Sequence, residues 1–312
     1  MNSFADLPSI WHWAISLWLA ALGGCIGSFL NVVVYRLPAG KSLVHPSSHC
    51  PKCGHAIRWY DNVPVFGWLA LGGKCRDCHE PIAMRYPLVE AVTAAMFFAL
   101  AWIELLSDGA NLPLLHFVGL DKTPVIRTFT SNELIGVYAC HLLLLCTLLS
   151  ASLIEYDRQN APFRLFLPTL LVGIVATCIW PQLHPMATLD QGLIIPYYLC
   201  GSLDVLIDLF IALISGSLIA LLAPCRSKLS VNGPGRSIFV VLATTACCSL
   251  ILGYQPMIVL GLLVVVIGLV ERLTLRLYSN GTAVGPIIWL SLLVPIWLVF
   301  WRPLASICPW GS

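Results

Sequence analysis

Apolar residues come in long runs, broken by short polar stretches. The runs cover about residues 11–34, 88–106, 134–154, 165–180, 206–223, 238–253, 257–270 and 284–301. None alternates with period two. Their lengths bracket the ~20 apolar residues that cross a bilayer as a helix. This predicts an all-α polytopic membrane protein with about eight transmembrane helices, seven being the alternative count. The run at 11–34 has no basic segment before it and exceeds a signal-peptide core, so it is expected to be retained as a helix. Gly23, Gly24, Gly27 and Ser28 along it predict close helix–helix packing. Gly253-Tyr254-Gln255-Pro256 predicts a hairpin turn at 253–257 between two short helices. The one long polar island is residues 35–87. The expected organisation is a first transmembrane helix at 1–34, a small four-cysteine zinc-binding domain at 35–87 and a membrane-embedded helical domain at 88–312.

Composition agrees. Of 312 residues, 58% are hydrophobic and 10% charged, against about 25% charged in a soluble domain. The net charge of +2 gives no reason to expect nucleic acid; the lipid bilayer is the expected partner. With eight crossings, all but Lys122, Arg127 and Arg302 of the 17 Lys and Arg fall on the side that holds the island. Basic loops stay in the cytoplasm, so the island is expected to be cytoplasmic and both termini outside.

The island carries Cys50-Pro-Lys-Cys53 and Cys75-Arg-Asp-Cys78. Two C-x₂-C pairs can bring four thiolates around one structural Zn²⁺. Two disulfides, disfavoured in a reducing cytoplasm, or four unrelated buried cysteines are the competing readings. His49, His55 and His79 are read as bystanders, because four sulfurs fill the coordination sphere. Nine other cysteines of the 13 lie in or beside apolar segments, where a thiol packs as a small hydrophobe. Trp59, Tyr60, Phe66 and Trp68 are expected to form a small apolar core in the island, too small to be stable without a metal staple.

Gly27-Ser-Phe-Leu-Asn-Val-Val-Val-Tyr-Arg-Leu-Pro38 resembles the N-terminal signature of bacterial type IV prepilin peptidases. Cys50-Pro-x-Cys-Gly-His, Asp61-Asn-Val-Pro, Cys75-Arg-x-Cys and Arg85-Tyr-Pro-Leu-Val-Glu90 continue the likeness in order. Gly285-Pro286 looks like the turn opening that family's last helix. The resemblance implies a membrane aspartic peptidase of the bacterial inner (cytoplasmic) membrane. It would cleave leader peptides from prepilins and pseudopilins of type IV pili and type II secretion. In many members it would also methylate the new N-terminus with S-adenosylmethionine. No Gly-rich cofactor fingerprint stands out.

The implied chemistry needs two carboxylates sharing a proton, one as base and one as acid. At the first position this chain has Glu155, within Ile154-Glu155-Tyr156-Asp157, so Glu155 and Asp157 are the catalytic candidates. At the second, within Gly233-Pro-Gly235-Arg236, it has Arg236, and a guanidinium is no general base. A Glu155–Arg236 ion pair is therefore expected. It defines an alternative function: an inactive homologue that binds pilins, keeps only methyl transfer or serves in assembly. Asp204 and Asp208 are expected about a bilayer thickness, ~30 Å, from Glu155. Glu90 and Glu271 lie on its side of the membrane.

Overall fold

The computed structural model describes residues 4–45, 48–113, 115–118, 124–127, 129–179, 197–222, 234–277 and 284–307. Where described, each expected apolar run is helical. Five helices are long and apolar enough to cross a membrane, and three shorter apolar helices accompany them. The chain divides into two compact units, Phe4–Trp102 and essentially the remainder from Ile103.

The first unit is a helical hairpin with the island between its arms. Helix α1 (Ser9–Arg36) packs along α3 (Arg85–Leu100). The seam is made by glycines. A Cβ on Gly27 would fall 2.8 Å from the Glu90 Cα, and one on Gly23 would fall 2.7 Å from the Phe97 ring. Small residues let the backbones approach, as the sequence suggested. Between the arms lie a 3-10 turn (Trp59–Asn62) and the five-residue α2 (Phe66–Ala70). The expected aromatic core is not formed. Trp59 is 82% exposed and Phe66 71%. Trp68 alone folds back, its indole donating to the Ile82 carbonyl at 3.0 Å and its ring covering Gly73. The island is too short to surround four aromatic side chains.

The second unit holds α4 (Ser131–Tyr156), α5 (Leu167–Ile179), α6 (Tyr197–Leu222), α7 (Pro234–Leu252), α8 (Tyr254–Leu277), α9 (Pro286–Val299) and α10 (Trp301–Ile307). A two-stranded antiparallel ribbon precedes α4, with β1 (Leu115–Val118) paired to β2 (Pro124–Arg127). A capping box starts α4: Thr130 Oγ1 accepts from the Glu133 N–H, and Glu133 accepts from the Thr130 N–H. Helix α6 packs on α7 and α8, α5 on α6 and α7, and α4 on α9. Hydroxyl pairs cross the packed faces, Thr147 to Thr169 at 2.6 Å and Ser152 to Ser291 at 2.7 Å.

The expected 253–257 turn is shorter than predicted. Gly253 alone separates α7 from α8, at φ +88°. Pro256 then sits in the first turn of α8, where no intrahelical N–H is lost.

Candidate functional site

Two loops of the same local shape present the four cysteines. In the first, Cys50 N–H bonds to the His55 carbonyl and Gly54 N–H to the Cys50 carbonyl, both at 2.9 Å. In the second, Cys75 N–H bonds to the Glu80 carbonyl at 2.8 Å and His79 N–H to the Cys75 carbonyl at 3.0 Å. The residue after each second cysteine is left-handed, Gly54 at φ +72° and His79 at φ +59°. That conformation turns backbone N–H groups towards the sulfurs. Backbone N–H groups of Cys53 and Lys52 draw the Cys50 thiol down to about 6.

All four sulfurs lie within 4.8 Å of one another. Cys50 Sγ is 3.7 Å from Cys78 Sγ, and Cys53 Sγ is 4.0 Å from Cys75 Sγ. A tetrahedron with metal–sulfur bonds of ~2.3 Å has edges of about 3.8 Å, whereas a disulfide needs ~2.05 Å. The four thiols are unbridged, and the cluster can hold a metal ion. Asp61 grips Arg76 through two bonds, 2.7 Å to Nε and 2.5 Å to Nη2. The Arg76 guanidinium holds the Asp61 carboxyl below its ordinary value.

The carboxylates belong to the second unit. Glu155 stands in the last turn of α4, half-buried. Its carboxylate covers Gly285 so closely that an added Cβ there would overlap it. Gly285 caps α9, with Pro286 at the first helical position, as the Gly-Pro pair predicted. Glu271, near the C-terminal end of α8, accepts a short hydrogen bond from the Val284 N–H. Its other oxygen is buried, with no hydrogen-bond partner among the described residues. Two carboxylates from α4 and α8 thus reach adjacent residues of one turn, whose Cα atoms are about 3.8 Å apart. Asp157 occupies the C-cap of α4, just before the left-handed Arg158 at φ +58°.

Arg236 lies in the first turn of α7. Its side chain, and with it the expected pair with Glu155, lies outside the described residues. The side chain of Asp204 does too. Asp208 is fully buried on α6, with Ser249 Oγ 3.5 Å from its carboxylate. Glu90 Oε2 accepts from the Val65 N–H at 2.7 Å, holding the island to α3.

Sequence reasoning passed over one pair. Glu104 and His141 are both buried and bonded at 2.7 Å. The signal was there: each is an ionisable residue in or at the end of an apolar run, and such residues are rare without a partner.

Fold and sites define a polytopic helical membrane protein with a four-cysteine clip and two carboxylates gathered at the start of α9. Comparison with known proteins narrows this. Residues 21–104 match the family described as the bacterial peptidase A24 N-terminal domain. The prepilin leader peptidase/N-methyltransferase of Myxococcus xanthus is 50% identical over 95 residues, 30% of this chain and 28% of that protein. Its namesake from Pseudomonas aeruginosa is 36% identical over 195 residues, 55% of this chain and 56% of the relative. A type 4 prepilin-like proteins leader peptide-processing enzyme of Escherichia coli O78:H11 is 34% identical over 193 residues, 55% of this chain and 60% of the relative. The chain therefore aligns with between 28% and 60% of these relatives' lengths. No solved structure matches it.

Proposed function

We propose that this chain is a leader peptidase of the prepilin-processing kind, with Glu155 and Glu271 as its acid pair. The carrying observation is that both carboxylates reach the Val284–Gly285 turn. The likeness to prepilin leader peptidases supplies the substrate class. In this reading the ionised member of the pair takes a proton from the attacking water. The protonated member donates to the carbonyl oxygen of the scissile peptide. The C–N bond of the tetrahedral adduct then breaks, the carboxyl that took the water proton giving it to the leaving amine while the leader departs as its carboxylic acid. Glutamate is one methylene longer than aspartate, which suits two carboxylates arriving from non-adjacent helices. The bacterial inner membrane is the proposed location, with the island cytoplasmic because the basic loops share its side. Zn²⁺ is the proposed structural ion, since four thiolates suit it. Methyl transfer is supported by the relatives' names, and S-adenosylmethionine as its donor by the resemblance of the N-terminal motifs.

Arg236, at the position where the resemblance places the second aspartate, favours the other reading: an inactive homologue that binds pilins, keeps only methyl transfer or serves in assembly. Cleavage of a prepilin by membranes containing the chain separates the two. The expected result is leader removal, lost by about 10²-fold or more in Glu155→Gln and in Glu271→Gln. If the unaltered chain removes no leader where a two-aspartate relative does, the peptidase reading fails. If cleavage survives Glu271→Gln, the pair is wrongly assigned.

A further inference from the structure

The island between α1 and α3 holds a wholly apolar stretch at its centre, Val63-Pro-Val-Phe-Gly-Trp-Leu-Ala-Leu71. Its position is fixed by contacts to both helices of its own unit. A Cβ on Gly24 would meet Pro64 at 3.2 Å and Ala94 at 4.0 Å. The Val65 N–H bonds to Glu90. Gly24 lies twelve residues before Arg36, about 18 Å down α1 at 1.5 Å per residue. Glu90 and Ala94 lie five and nine residues into α3 from Arg85, about 8 and 13 Å. The apolar span that begins at Arg85 has 21 residues, about 32 Å, little more than the ~30 Å hydrocarbon core. Arg85 is then at the interface, and the tip of the stretch is well below it.

We propose that Val63–Leu71 is a re-entrant element seated in the acyl-chain region of the bilayer, with Phe66 and Leu69 facing lipid. Three further observations agree. Phe66 is 71% exposed and Leu69 58%, and they share one face of α2 at a spacing of three residues. Most backbone donors of the stretch meet the demand that hydrocarbon makes of non-helical chain, that polar groups be satisfied within the protein. Pro64 has no N–H; those of Val65, Phe66, Gly67, Leu69 and Leu71 all find acceptors in the unit. The sharp reversal this requires is visible at Val65, a β-branched residue at φ 63°, ψ −53°, where Phe66 N–H closes a γ-turn onto the Pro64 carbonyl at 2.6 Å.

The test uses the full chain in phospholipid bilayers. A photoreactive benzoylphenylalanine replaces Phe66 or Leu69, with Leu17, exposed on α1, as a lipid-facing control and Phe97, on α3, as a buried one. The expected products on irradiation are lipid adducts at 66, 69 and 17, and none at 97. Adducts at 17 without adducts at 66 or 69 overturn the proposal. So does cross-linking of 66 or 69 mainly to an added prepilin, which would make this face a substrate surface. Hydroxyl-radical labelling of the unaltered chain in nanodiscs guards against variants that misfold. Phe66 and Leu69 should be protected at least fivefold relative to Val44, which is 73% exposed. Equal labelling refutes lipid burial.

Discussion

Gly285 shows how one missing side chain can hold a site together. The Glu155 carboxylate occupies the space where its Cβ would be, so Gly285→Ala must push the carboxylate away or shift the start of α9. We expect Gly285→Ala to cut leader cleavage at least tenfold and to cost about 1–3 kcal/mol of stability, as overpacking does, read by a cleavage assay and a thermal melt on one preparation. Glu155 was legible in the sequence as a candidate because it occupies a recognisable position beside Asp157. Glu271 was legible only as a carboxylate expected on the same side of the membrane. Its arrival at Val284 depends on how α8 packs, and no local pattern records that. At the clip, backbone N–H groups draw the Cys50 thiol down to about 6, while desolvation and the neighbouring sulfurs push Cys78 up to about 12. A metal needs thiolates, and protons compete for them. Acidification should therefore release the ion progressively, followed with a chromogenic chelator. Asp61 follows the carboxylate rule. Its folded-state value is lowered by Arg76, so its contribution to stability is present above its unfolded value, about 3.9, and is lost as pH falls through the folded one.

Among the elements, α1 and α3 followed the sequence most closely. Apolar runs set their lengths, and the small residues at 23, 24 and 27 marked the contact face. Gly27→Val should separate the hairpin arms, because the new side chain meets backbone at Glu90 rather than a flexible side chain. The expected cost is about 1–3 kcal/mol, measured by denaturant titration in mixed micelles. The Gly253 turn and the island's aromatic residues were read less well. A proline near a turn was taken as part of the turn, although the first turn of a helix accepts it equally well. Four aromatic residues were taken as a core because island composition gives no measure of depth along neighbouring helices. Contacts at Gly24 and Glu90 supply that measure.

For the molecule as a whole, hydropathy was enough to give a helical membrane protein, since hydrocarbon leaves the backbone few alternatives. The asymmetry of Lys and Arg makes a separate claim, about orientation. A membrane-impermeant maleimide applied to intact cells should leave Cys50, Cys53, Cys75 and Cys78 unlabelled, and labelling of these four would reverse the assignment. The glycine seam and the cysteine clip have a joint consequence. They close nested loops: the seam joins the chain at Gly27 and Glu90, and the clip joins it inside that loop, between Cys53 and Cys75. Once the outer loop is closed, the inner ends are already near each other, and the entropy lost in bringing them together is smaller. Metal capture should therefore inherit its affinity from a helix contact that touches no cysteine, and a seam weakened at Gly27 should leave four intact ligands that bind their ion less tightly.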